Sequence, residues 1–191
     1  AQEEPADDIN IGSGTFKFDY EATSGIIEMN VYYHVPNADV ENMPILFVLH
    51  GASRNAIEYR NAWVEKANEK EFIVITPKFS FENFPGGDAY NLGNVFEDGD
   101  HPSPSTLNNE QDWSYSIIES LFDDFKLRSG NTSSNYNLFG FSAGAQFAHR
   151  LVMFKPNSSL NKVVASAAGW YTVPDENIEF PYGINNCPIE N

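Results

Sequence analysis

Cysteine is all but missing from this chain. Cys187 stands alone, so there is no internal disulfide and no cysteine-based zinc site. Basic residues are scarce too: 11 Lys and Arg face 27 Asp and Glu, a formal net charge of −16 over 191 residues. A field of that sign repels phosphate backbones and anionic headgroups, which argues against nucleic acid or a membrane surface as partner. No run approaches the roughly 18 apolar residues of a membrane-spanning helix. Internal repeats and low-complexity tracts are absent. Only 20% of residues are charged while 14% are aromatic, which excludes wholesale disorder.

What is present suits one domain with a sizeable core. Residues 1–10, opening AQEEPADD, read as a disordered lead-in, and 11–191 as the domain. The acidic, thiol-poor composition fits a secreted or periplasmic protein. Thr15 to Tyr20 alternates in the strand manner, with Phe16, Phe18 and Tyr20 on one face. Ile26 to Val35 pairs with it as a hairpin turning near Thr23-Ser24-Gly25. Ile45 to Leu49 (ILFVL) and Phe72 to Thr76 (FIVIT) are short continuous apolar runs, as strands buried on both faces are. Between them Asn55 to Lys70 reads as a helix with Ile57, Trp63 and Ala67 inward.

Residues 77–112 keep no period and are rich in Gly, Pro and aromatic rings. Regularity returns at Asp112, the expected N-cap of a helix that carries Ile117, Ile118, Leu121, Phe122 and Phe125 inward and stops before Gly130. Tyr136 to Phe141 is a strand, Ala143 to Phe154 a helix ended by Pro156, and Val163 to Ala168 a last strand. Strands alternating with helices after a hairpin predict an α/β fold with a mainly parallel sheet between helical layers. Ligands of such sheets bind at the carboxyl ends of the strands.

Two motifs lie at those ends. Gly140-Phe141-Ser142-Ala143-Gly144 follows one buried strand and opens an amphipathic helix. A nucleophile on such a turn needs a strained backbone and small neighbours, which Gly140, Gly144 and Ala143 provide. The helix that starts there directs its positive end and free amides at the site. His50-Gly51-Ala52-Ser53 follows ILFVL. A loop in that position supplies one backbone N–H to an oxyanion hole: Ala52 is the expected donor, Ala143 the other, and His50 with Gly51 orients the loop.

LHGASRN, NYNLFGFSAGAQFAHRL and their spacing resemble the α/β-hydrolase superfamily, and within it secreted esterases of the polyhydroxyalkanoate-depolymerase and feruloyl-esterase type, over roughly Phe16 to Tyr171. The resemblance implies a three-layer hydrolase fold and a Ser–His–acid esterase that needs no metal or organic cofactor. Its substrate would be a small-molecule or polymeric ester. The nucleophile maps onto Ser142 and the oxyanion amides onto Ala143 and Ala52.

The match is incomplete. In this superfamily the acid and the general-base His follow the seventh and eighth strands. Here the last strand is the sixth, and no histidine lies beyond His149. Seven helical positions past Ser142, His149 stands about 10 Å along the helix, a surface or packing residue. His34 reads as structural. Asp175, Glu176 and Glu179 read as solvated loop acids. Three explanations stay open: a missing segment or second chain completes the fold, His101 reaches in from the long loop, or the chain is a non-catalytic binding relative. A serine peptidase of the same fold also fits Ser142. Phe79, Phe81, Phe84 and Tyr90 in the loop, with Trp170 and Tyr171 after the last strand, either grip a substrate or pin the loop to the body. Glu97, Asp98, Asp100 and Glu110 miss the spacing of a calcium loop and read as a solvated acidic stretch.

Overall fold

The alternating run of residues 12–20 and the β-branched run of 26–35 zip into a hairpin, β1 (Gly12–Ala22) and β2 (Gly25–Val35), in the expected register, with Thr15 opposite Tyr32 and Tyr20 opposite Ile27. The computed structural model describes residues 8–189, so most of the lead-in expected over 1–10 lies outside the described residues. β3 (Ile45–Leu49), β4 (Ile73–Pro77), β5 (Tyr136–Phe141) and β6 (Leu160–Ser166) complete a six-stranded sheet of order β1-β2-β4-β3-β5-β6. β2 joins β4 antiparallel, and the remaining pairings are parallel. Six strands with the hairpin at one end match the expected class, a hydrolase-like sheet that no further strand joins among the described residues.

Among the described residues three α-helices make the outer layers. α2 (Ser114–Ser129) and α3 (Ala143–Phe154) cover one face, where aromatic side chains form the core. Phe125 of α2 meets Phe16 and Tyr33 at ring separations of 6.3 and 6.4 Å, and Phe122 meets Tyr136 at 5.1 Å. α1 (Ala56–Lys70) covers the other face over Val48 and Val74, with Trp63 packed edge-on to Phe139 at 5.0 Å. Successive residues of β3 and β4 thus serve opposite layers, the reason both strands are apolar throughout.

Three expectations are corrected. α1 buries Ala67 as expected and sets the half-buried Trp63 against the sheet, but Ile57 is only half-buried and outside the core, and Ala56 and Arg60 are buried instead. The Arg60 guanidinium lies over the hairpin and donates from Nη1 to the Tyr33 and Gly14 carbonyls at 2.6 and 3.2 Å. Asp112 does not cap α2. It closes a short 3-10 helix (Glu110–Asp112), and its carboxylate accepts from the Thr23 amide at 2.8 Å and from the Thr23 hydroxyl, fastening the hairpin turn. β6 starts at Leu160 and ends at Ser166, because Ala167 turns to φ 54°. Among the described residues β6 pairs with β5 alone, and Val164 on it is 55% exposed.

The aromatic layer under α2 bears much of the stability. Phe125→Ala should lower the unfolding free energy by about 3–5 kcal/mol in urea denaturation followed by circular dichroism. Leu127→Ala on the same helix, where the side chain is 86% exposed, should stay within about 0.5 kcal/mol.

Candidate active site

β5 delivers the chain to Ser142 and α3 carries it away, with one residue to make the bend. Ser142 takes φ 56° and ψ −117°, a conformation that costs a side-chain-bearing residue on the order of 1–3 kcal/mol. Both flanking glycines are sterically required. A Cβ on Gly140 would sit 2.1 Å from the Gly144 carbonyl oxygen, and one on Gly144 would sit 2.4 Å from the Leu49 carbonyl oxygen and 2.7 Å from that of His50. The start of α3 therefore presses directly on the end of β3. The Ser142 amide donates to the Ser166 carbonyl at 3.0 Å, while the Ser142 carbonyl accepts from Ala145 and Gln146 at 3.0 and 3.1 Å. Its side chain is half-buried and makes no hydrogen bond among the described residues. Ala143 is the first residue of α3, so its N–H has no acceptor within the helix.

The loop after β3 faces this bend. The space that a Gly51 side chain would fill lies 3.6 Å from Ser142 Cβ and 3.9 Å from the Phe141 carbonyl oxygen. The Arg54 amide donates to the Gly51 carbonyl at 3.1 Å, closing a turn with Ala52 and Ser53 exposed at its corner. The turn's own hydrogen bond thus does not use the Ala52 N–H. Ser142, Ala143, Gly51, Gly140 and Gly144 meet at one place, with Ala52 beside it.

His50 is fully buried beneath the loop. Its Nε2 accepts from the Phe79 amide at 3.1 Å, an N–H that can only donate, so the ring proton is on Nδ1 and goes to the Gly51 carbonyl at 3.0 Å. Burial lowers its pKa to about 4, against the opposing pull of the Gly51 carbonyl, so the ring is neutral near pH 7. His50 is a support for the loop.

Tyr90 corrects an expectation. It offers no surface to a ligand: it is fully buried, and its hydroxyl donates to the His50 carbonyl at 2.7 Å. Phe79 and Phe84 are buried as well, and Tyr90 packs on Phe79 and Phe147 at 5.0 and 5.6 Å. These rings pin the long loop, since burying them against α3 is more favourable than leaving them in water. Phe81, Trp170 and Tyr171 remain exposed.

Arg54 was not legible as a site residue. Buried beside the turn, it donates from Nη1 to the Phe79 carbonyl at 2.8 Å and from Nη2 to those of Phe84 and Gly86 at 3.1 and 2.9 Å. Its guanidinium stacks 4.2 Å from the Tyr90 ring centre. Desolvation lowers its pKa. Its only signal in the sequence is a cation following the HGAS motif and preceding an aromatic loop, and no spacing rule reads that.

Each of the four histidines is committed away from Ser142. His34 bridges Ser13 Oγ at 2.8 Å and Asn68 Oδ1 at 2.9 Å. His101 is paired with Asp98 at 3.0 Å with its side chain 84% exposed, and its hydrogen bond holds the Asp98 carboxyl below the usual range. His149 accepts the Thr172 amide at Nε2, 3.0 Å, and donates from Nδ1 to the Ala145 carbonyl at 2.9 Å, tying α3 to the chain after β6. Burial lowers its pKa to about 4 also. The Asp175 carboxylate accepts from the Asn177 amide at 2.8 Å. Among the described residues, no group of three or more His, Cys, Asp or Glu is placed to hold a metal ion.

No protein-family model matches the chain, and no curated protein sequence does. Solved structures do. Poly(aspartic acid) hydrolase-1 from Sphingomonas sp. KT-1 superposes with a TM-score of 0.84 at 37% identity, over 95% of this chain and 66% of that one. A poly(3-hydroxybutyrate) depolymerase from Bordetella parapertussis superposes with a TM-score of 0.85 at 25% identity, over 95% of this chain and 60% of that one. An acetyl xylan esterase from Aspergillus awamori shares the fold at 18% identity and a TM-score of 0.55. The chain spans less than two thirds of the length of these structures.

Two neutral histidines, the buried His50 and the half-buried His149, make stability depend on pH. Unfolded, each titrates near 6.5; folded, His50 and His149 titrate near 4. Between those values the unfolded chain binds more protons, so their contribution is complete above about pH 6.5 and is lost as pH falls toward 4. Urea denaturation at pH 7.0, 5.5 and 4.5 should show falling stability over this window. His149→Gln should flatten part of that slope relative to the unsubstituted chain.

Proposed function

The chain belongs to the α/β-hydrolase superfamily, and we propose that it carries the nucleophile and oxyanion half of a serine hydrolase acting on carboxylic esters. The observation that carries this reading is the backbone of Ser142, held at positive φ between two glycines that admit no side chain and facing Gly51. A residue held in such a conformation by its surroundings is a candidate for function.

In the proposed reaction Ser142 Oγ attacks the ester carbonyl carbon. The carbonyl π electrons move onto oxygen, and the N–H groups of Ala143 and Ala52 hold the resulting oxyanion. Collapse expels the alcohol, which takes the proton given up by the serine through a general base. Water then attacks the acyl-serine by the same route and releases the acid. The N-terminus of α3 favours the negative charge at both tetrahedral stages.

The four histidines of the chain all serve other contacts, so the base and its acid are assigned to polypeptide outside these residues, a further segment or a second chain. The place to receive it is the free side of β6, the last strand in the sheet order, on which Val163 and Val164 are exposed. An apolar sheet edge of this kind is normally covered. Trp170 and Tyr171 would then line the acyl side of the cleft. Polymeric esters are the favoured substrates, because a poly(3-hydroxybutyrate) depolymerase superposes with a TM-score of 0.85. With the acidic composition, action outside the cytoplasm fits such a substrate. The poly(aspartic acid) hydrolase also makes amide-linked polymers worth assaying beside esters.

A fluorophosphonate probe should label Ser142 in the native protein, and Ser142→Ala should lower turnover of p-nitrophenyl acetate and of a soluble polyester by at least ~10³-fold with the circular dichroism spectrum unchanged. Undiminished turnover in the variant would overturn the assignment. Residues 1–191 alone turning over as fast as the native protein would overturn the placement of the base outside them.

A further inference from the structure

We propose that the Tyr59 hydroxyl is a third hydrogen-bond donor of this site, directed at the carbonyl oxygen of the bound ester as it becomes an oxyanion; the inference rests on the serine-hydrolase reading. Tyr59 lies in the first turn of α1, and its half-buried ring packs with the cluster of Val48, Ala67 and Val74. That packing fixes the phenol at the edge of the turn after β3. Its Oη lies 3.0 Å from the point where a Gly51 Cβ would stand, and the same point lies 3.6 Å from Ser142 Cβ. The hydroxyl and the serine are therefore no further apart than those two distances laid end to end, around a space kept open by a missing side chain.

The hydroxyl also has its proton to give. Other phenols of the fold give theirs to protein acceptors: Tyr20 to the Gln111 carbonyl, Tyr90 to the His50 carbonyl, Tyr136 to Glu119 and Tyr171 to the Ala165 carbonyl. Tyr59 Oη has no such partner among the described residues, and it is not one of the polar atoms sealed from solvent. A donor fixed by packing, left without an acceptor and facing the serine across the Gly51 gap stabilises charge that develops there without reorganising first. The phenol keeps its proton throughout and shares it with the oxyanion. Gly51 then has a reason to be glycine: any Cβ there would press on the hydroxyl and fill the gap.

The test is Tyr59→Phe in the native protein, which preserves the ring and its packing. The expected result is a fall in kcat of about 10- to 100-fold with KM within about 2-fold, and an equal loss of affinity for a trifluoromethyl ketone analogue of the tetrahedral intermediate. A purely structural tyrosine would not divide kcat from KM in this way. Wild-type kcat and wild-type analogue affinity in Tyr59→Phe would overturn the proposal. If the variant fails to fold, 3,5-difluorotyrosine at position 59 replaces it, retaining the ring with a more acidic hydroxyl. Tighter binding of the ketone then supports the donor role, and unchanged binding overturns it. Ser142→Ala, assayed in parallel, separates the two readings. Full turnover there overturns both, whereas loss of turnover there with an unaffected Tyr59→Phe removes only the role of Tyr59.

Discussion

The approach of α3 to the end of β3, backbone against backbone, is the constraint from which the rest of the site follows. Gly144 lies so close to the Leu49 and His50 carbonyl oxygens that a methyl group does not fit, and Gly140 is as close to Gly144. With side chains at either place the helix would have to stand off the sheet, and Ser142 would no longer be driven to positive φ. The same contact brings the first turn of α3, with its unpaired amides, level with the loop that follows β3. Bend, helix terminus and loop are three consequences of one absence of Cβ atoms.

The loop after β3 is secured by a closed set of bonds that cross between two stretches of chain. His50 accepts a hydrogen bond from the Phe79 amide and donates one to the Gly51 carbonyl; Tyr90 donates one to the His50 carbonyl; Arg54 grips the carbonyls of Phe79, Phe84 and Gly86 and stacks on Tyr90. A burial-lowered pKa keeps the imidazole neutral, so the set survives without a counter-charge on His50. Burying the cation of Arg54 is costly, and its hydrogen bonds to carbonyl oxygens offset the loss of water only in part, since Nε is left without a partner. What that cost secures is geometry: it fixes the corner where Ala52 sits.

What was legible in the sequence follows the range of the interactions that decide it. The ends of β5 and α3 expected from the sequence, Tyr136–Phe141 and Ala143–Phe154, are the observed ones, because strand, bend and helix are written in adjacent residues. His50 was readable as a loop support from its place between a buried strand and a glycine. The beginning of α2 was not, because the carboxylate of Asp112 answers to Thr23, whose place beside it depends on the hairpin's packing. The long loop hid its order for the same reason. Its rings carry no period, yet Phe79, Phe84 and Tyr90 are core residues, since their partners lie on α3 and on Arg54. The burial of Arg60 was hidden too, because the carbonyls it serves belong to a hairpin far from it in the chain.

The two buried arginines near the site differ in what surrounds them. Arg54 looks toward the loop and engages three carbonyls there. Arg150, on α3, donates to Thr172 Oγ1 at 2.8 Å and to the Asn91 carbonyl at 2.9 Å, and lies 5.5 Å from the Trp170 ring. It links the long loop to the segment after β6, and His149, one residue earlier, ties α3 itself to that segment. The segment from Trp170 to Thr172 is therefore anchored from the α3 side, with Trp170 and Tyr171 turned to solvent. Polypeptide that covered the free side of β6 would meet these rings already positioned. A base delivered by that polypeptide would arrive beside Ser166, whose carbonyl already holds the Ser142 amide. Completion of the sheet and completion of the proton transfers would then be one event, and the exposed apolar edge would belong to the chemistry as much as to the fold.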